Sequence, residues 1–166
     1  MKKIVFLLFL IITVLLCLNK NKSLLIPSNA IRIRIIANSN DIIDQKEKIV
    51  IKDEINSFLF EKLKDVNNYE TAKKTINNNL NNIKNIIENH TNNYTIYFGN
   101  NYFPEKEYKG TKYKEGSYES LVINLGEAKG NNYWCVLFPP ICMIDEEKFD
   151  DVTYDLYVKQ LLNKIN

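Results

Sequence analysis

Arginine, histidine and tryptophan are nearly missing from this chain: Arg32 and Arg34 are the two arginines among 22 basic residues, and His90 and Trp134 stand alone. So few arginines, with a near-neutral balance, exclude the basic footprint of a nucleic-acid-binding protein. Residues 30–166 carry 18 basic and 20 acidic side chains, a formal net of −2, because Lys2, Lys3, Lys20 and Lys22 all precede them. A single histidine removes His clusters and leaves a cysteine nucleophile only His90 as a base. That residue falls at the expected end of a helix in Asn-rich sequence, a solvated position. The three cysteines have no Cys-x-x-Cys spacing. Gly126-Glu127-Ala128-Lys129-Gly130 lacks the pattern of a phosphate loop. Metal-ligand clusters are absent from the sequence, and plentiful carboxylates are no signal in a chain with 20 of them. No catalytic residue, cofactor, metal or small-molecule substrate is expected.

What is abundant is lysine, asparagine and isoleucine. These three share A/T-rich codons, so runs such as Ile76 to Asn93 reflect coding composition more than chemistry. Hydrophobic residues at 45% and charged residues at 25% are ordinary for a globular domain. About 135 residues beyond the N-terminal stretch suffice for one buried core.

Lys2-Lys3 precede fifteen residues, Ile4 to Leu18, that are apolar apart from Thr13, and Asn19-Lys20-Asn21-Lys22 closes the stretch. A short basic start and an apolar run of this length match a secretory signal. The run falls short of the roughly 20 residues of a comfortable membrane span. Residues 1–22 are therefore a signal peptide or signal anchor that contacts membrane through 4–18, and cleavage and retention both fit. Leu16 stands where a lipoprotein signal would place a small residue before Cys17, which argues against lipidation.

Residues 23–29 contain Pro27 and form a tether, and 30–166 a single exported domain. Ile31-Arg32-Ile33-Arg34-Ile35 alternates as a half-buried strand with one polar face. Ala37-Asn38-Ser39-Asn40-Asp41 interrupts it with turn and N-cap chemistry. A long helix follows from about Asp44 to Lys64, with Ile51, Ile55, Phe58, Leu59 and Leu63 as its core stripe. A second long helix spans Tyr69 to about Asn89 on Tyr69, Ala72, Ile76, Leu80, Ile83 and Ile87. Tyr94–Phe98 and Tyr118–Leu125 read as strands, with a loop or irregular hairpin over 99–117. Tyr133–Phe138 is apolar enough for a buried central strand. A C-terminal helix covers about Asp151 to Lys164, packing through Leu156, Leu161, Leu162 and Ile165. The expected fold class is α+β: one mainly antiparallel sheet with two long helices on a face and a C-terminal helix.

One segment differs from the rest. Gly126 to Cys142 holds two of five glycines, two of four prolines, the tryptophan and two of three cysteines. If the chain reverses in a four-residue turn over Leu137 to Pro140, Cys135 and Cys142 fall directly opposite each other. Their Cβ atoms would lie about 4.5–5.5 Å apart, close to disulfide range. Export supplies the oxidising compartment, so Cys135–Cys142 is a candidate disulfide. Phe138-Pro139 at the turn centre suits a cis bond.

The same segment, GEAKGNNYWCVLFPPIC, resembles the signature of the stage II sporulation protein R family, where it usually runs GEGKGxNWWCVLFPPLC. Arg32 to Ser39 is similar to that family's RLHVIANS. Asp44-Gln45, Lys48 and Ile51-Lys52-Asp53 keep its helix register, and Gly116-x-Tyr118-Glu119-x-Leu121 resembles its GxYEAL. The resemblance runs from about Arg32 to Asp145. Ala128 replaces a glycine, Tyr133 the first tryptophan, Ile141 a leucine, and Arg34 stands where histidine is common. Loss of glycine at 128 bears on any positive φ needed there.

The resemblance implies a signalling protein of endospore formation, exported across the forespore membrane into the intermembrane space. There it would activate a membrane-embedded aspartic protease that processes the pro-sigma-E factor. The expected contact surface is the loop Gly126–Asn132, with Glu127, Lys129 and Gly130, together with Trp134 and the turn Phe138, Pro139 and Pro140. The competing expectation is an exported cell-envelope enzyme with a concave site at Glu127, Lys129 and Cys135.

Overall fold

A computed structural model of the chain describes residues 24–25, 30–108 and 111–140. The apolar segment 4–18, Cys142 and the expected helix from Asp151 to Lys164 lie outside the described residues.

Alternation in β2 (Ile31–Ile36) sends Ile31, Ile33 and Ile35 into the core, each fully buried. The long helix α1 (Ile42–Leu63) lays Ile51, Ile55, Leu59 and Leu63 over them, at the three- and four-residue steps that keep side chains on one face. Burying each such side chain contributes about 1.5–3 kcal/mol. Lys48 joins the buried set one turn before Ile51.

The second helix is two. Helix α2 (Tyr69–Asn78) and α3 (Leu80–Glu88) are separated at Asn79, whose φ and ψ of −103° and 8° leave the helical region. The Asn79 side chain donates to the Thr75 carbonyl at 2.8 Å and accepts from Asn82 at 3.0 Å, local bonds that compete with the helical ladder. Asn68 caps α2 by accepting from the Thr71 amide at 2.8 Å. The break leaves the apolar stripe intact, with Ala72, Ile76, Ile83 and Ile87 all buried.

The strands form a mixed sheet in the order β3-β6-β2-β7, from β3 (Tyr94–Phe103), β6 (Gly116–Leu125) and β7 (Asn132–Phe138) with β2. Outer pairs β3–β6 and β2–β7 are antiparallel, as expected, but the central pair β2–β6 is parallel. The parallel pair arises because the chain crosses over between β2 and β6 by way of the helical layer. β3 and β6 pair without interruption from Tyr94↔Leu125 to Phe103↔Gly116. The excursion between them forms β4 (Lys106–Tyr108) and β5 (Thr111–Tyr113), joined by β1 (Leu24–Leu25) in a small second sheet. β7, expected at the centre, takes the end of the four-strand order.

The polar face expected for β2 is also overturned at Arg32, which is 0% exposed. Its guanidinium stacks 3.4 Å above the Tyr118 ring and 5.2 Å from Phe103, and Nη2 donates to the Lys114 carbonyl at 3.4 Å. The cation sits over the Tyr118 ring and beside that of Phe103, so a charged residue occupies an interior position. With the helices over one face and Tyr118 and Phe103 over Arg32 on the other, β2 is interior on both faces at this point.

Candidate functional site

The exit of β2 and the connection from β6 to β7 meet at one end of the sheet, ninety residues apart in sequence. Four successive-region amides of the connection are held by the exit: Lys129 N–H donates to the Asn38 carbonyl and Gly130 N–H to that of Ala37, at 3.0 and 2.9 Å. Glu127 N–H donates to Asn38 Oδ1 at 2.9 Å, and Asn131 N–H to Asn40 Oδ1 at 2.7 Å. Asn38 also donates through Nδ2 to Asp44 at 2.8 Å, so one side chain ties the connection to the first turn of α1. Gln45 Nε2 donates to the Ser39 carbonyl at 2.8 Å, and the Asp41 amide donates to Ser39 Oγ at 3.0 Å.

The glycines are there because backbones touch. A Cβ on Gly130 would run into the Ser39 carbonyl, and one on Gly126 into the Asn38 side chain. Gly126 has φ +55°, and Ala128 follows with φ +53°, the left-handed region that an L side chain occupies at a cost. The glycine common at that place in similar sequences thus marks a real conformational demand, met here by alanine.

Charge at the joint is organised by burial and hydrogen bonding. Lys48 is 7% exposed; its ammonium donates to Gln45 Oε1 at 2.6 Å and to the Asn131 carbonyl at 2.9 Å. Burial pushes the Lys48 amine below its ordinary value, and Lys52 adds repulsion in the same direction. Hydrogen bonds from the Ser39 and Asn38 side chains hold the Asp44 carboxyl below the usual carboxylate value. Outward, Glu127 and Lys129 pair with each other at 2.6 Å on the exposed loop. Two residues beyond Asn40, Ile42 and Ile43 are 73% and 80% exposed, and Ile49 and Val50 continue the same helix face seven residues on.

The residues expected to form one contact surface are divided. Gly126, Glu127, Lys129 and Gly130 lie together in the loop. Trp134 sits within β7 opposite Arg34, on the sheet face away from the helices. There its ring is 6.4 Å from Phe103, with the Lys106 ammonium 4.9 Å from its centroid. Phe138 is 1% exposed in the core, and Pro139 and Pro140 are buried. The Phe138–Pro139 bond is cis, as expected from the sequence. Six residue steps along β7, from Asn132 to Phe138, separate this turn from the loop, about 20 Å at the rise of a β-strand. Loop and turn therefore occupy opposite ends of β7.

The three residues of the competing expectation are divided as well. Cys135 is directly opposite Ile33 and packs against the aliphatic core, while Glu127 and Lys129 face solvent. His90 contacts Glu54 at 2.9 Å on α1, remote in sequence from both. Among the described residues no group of three or more His, Cys, Asp or Glu is placed to hold a metal ion. Asn38, Asn40 and Lys48 are the residues that sequence reasoning missed: the general excess of asparagine and lysine hid them. A usable signal was present, since Asn38 and Lys48 both fall in the segments of family resemblance.

The sequence model of the family described as "Stage II sporulation protein R" matches residues 27–148. A protein of that description from Bacillus subtilis (strain 168) is 38% identical over 133 residues. The aligned part is 76% of this chain and 59% of the relative, so the chain spans less than two thirds of that protein's length. No solved structure matches the chain.

Proposed function

This chain belongs to the stage II sporulation protein R family, and from that membership we propose that it is an exported signal of endospore formation. It activates a membrane-embedded aspartic protease that processes pro-sigma-E, and contributes binding, not bond-breaking chemistry. The apolar segment 4–18 carries it across the forespore membrane into the intermembrane space, either freed or still anchored.

The observation that carries this reading is the interlocked joint. The two segments on which the family resemblance rests most heavily are held to each other by four loop amides. What they leave on the outside is Glu127, Lys129 and the exposed Ile42 and Ile43. A loop already fixed in shape loses little entropy on binding. A ligand activates its receptor by binding the active state better than the inactive one, and a pre-shaped surface suits that discrimination. Confinement near the membrane raises effective concentration. We assign the receptor contact to this loop end; Phe138, Pro139 and Pro140 act through packing, and Trp134 belongs to the opposite sheet face. The disulfide-bonded state of Cys135 supports pairing with Cys142 across the turn.

Coexpression of the full chain with the protease and its pro-sigma substrate tests the reading. Processing should require the chain, and Lys129→Ala combined with Ile43→Asp should reduce it while the thermal unfolding temperature stays put. Processing that proceeds without the chain rejects the function. Normal processing by the well-folded double variant rejects the surface but not the function.

A further inference from the structure

Strand β3 ends the sheet, and among the described residues it pairs with β6 alone. Its ten residues, Tyr-Thr-Ile-Tyr-Phe-Gly-Asn-Asn-Tyr-Phe from Tyr94 to Phe103, include no charge and no proline, in a chain one quarter charged. Its ladder with β6 is continuous, with no bulge to twist the edge away. Natural edge strands are usually protected by one of these devices: a lysine, a proline, a bulge or short length. β3 has none of the four. Tyr97 and Tyr102 add rings that are 57% and 58% exposed.

We propose that this edge is a self-association surface: two copies of the chain pair β3 with β3, antiparallel about a two-fold axis at Tyr97, into one eight-stranded sheet. A second copy is the occupant because this strand is its own complement: it carries no charge to repel itself, and a charged partner strand finds no counter-charge along it. Face matching then selects the register. Ile96 and Phe98 lie on the helix-covered side, where both are packed at the margin of the core. Centring on Tyr97 sets Ile96 opposite Phe98 of the second copy, twice, so both apolar margins are covered. On the other face Tyr97 meets Tyr97, and Thr95 meets Gly99, against which the Tyr97 ring of the same chain lies in the place of a side chain. An isologous pairing of this kind closes on itself and stops at two. This inference stands independently of the signalling role.

The test uses the full chain in detergent micelles with the photo-crosslinker p-benzoylphenylalanine at the exposed position Thr95. Irradiation should yield a covalent dimer. Tyr97→Lys, which sets two ammonium groups face to face on the axis, should lower the crosslinked fraction about tenfold, and Tyr97→Phe should leave it unchanged. Circular dichroism spectra of both variants should match the parent, Tyr97 being on the surface. A chain that stays monomeric, crosslinks to a different protein, or dimerises equally well with Tyr97→Lys overturns the proposal. The last result would assign the association to another part of the chain.

Discussion

Two regions hold this molecule together by opposite means. Under the helices, Ile31, Ile33, Ile35, Ile51, Ile55 and Leu59 make contacts that depend on volume and little on direction. At the joint, Asn38, Asn40, Lys48, Gly126 and Gly130 make contacts that depend on direction and leave no spare volume. The first region resembles many other cores and tolerates exchange among apolar residues. The second is particular to this family's two most characteristic segments. The difference teaches where to look for function: stability can be rebuilt from generic residues, whereas the shape of the outward loop rests on a few specific ones.

The contrast can be broken at either side. The largest effect is expected in the core, where Leu59→Ala should cost about 2–5 kcal/mol, read as a lower urea midpoint. A cost below that of the joint variants would undo the comparison. Gly130→Ala comes next, at about 1–3 kcal/mol, since its methyl must displace the Ser39 carbonyl. Unlike the core variant, it should also reduce the proposed protease activation at temperatures where the chain is fully folded. Asn38→Ala removes the acceptor for Glu127 N–H and the donor to Asp44 and should cost about 1–2 kcal/mol in the same denaturation assay. Ala128→Gly should act in the other direction, raising stability by about 0.5–1 kcal/mol by relieving the left-handed alanine. A destabilised glycine variant would show that the Ala128 conformation is not strained.

The smallest effect separates the regions by pH. Asp44 has its folded value depressed by its hydrogen bonds. Its contribution is therefore complete above its unfolded value and is lost as pH falls below that value through the folded one. Asp44→Asn should flatten the acid limb of a stability–pH curve measured by urea unfolding, whereas Leu59→Ala should shift the curve without changing its shape.

Much of the core was legible because period alone reports it. The two-residue step of Ile31, Ile33 and Ile35 and the three- and four-residue steps of Ile51, Ile55, Leu59 and Leu63 state which sides face inward. The same alternation misled at Arg32. A charged residue at a polar position predicts solvent, and only the neighbouring rings of Tyr118 and Phe103 make it an interior site. Asn79 was read as helix because the apolar stripe runs straight through it, while its side chain's local hydrogen bonds break the backbone. Of the expected contact surface, the loop residues Glu127 and Lys129 are exposed. The turn at Phe138–Pro140 is expected on the contact surface because rigid aromatic and proline groups bury area at little entropic cost, yet these side chains are buried within the chain itself.

The sequence by itself determined the layers of this protein, the stripe each helix buries and its family, because periodicity and local motifs are properties of neighbours along the chain. Only the tertiary structure decided that β2 and β6 run parallel, that Arg32 is interior, and that Asn38 and Gly126–Asn131 make one joint while the Phe138 turn lies at the other end of β7. Those depend on which strands pair and in what register, and hence on contacts between residues that no local pattern links.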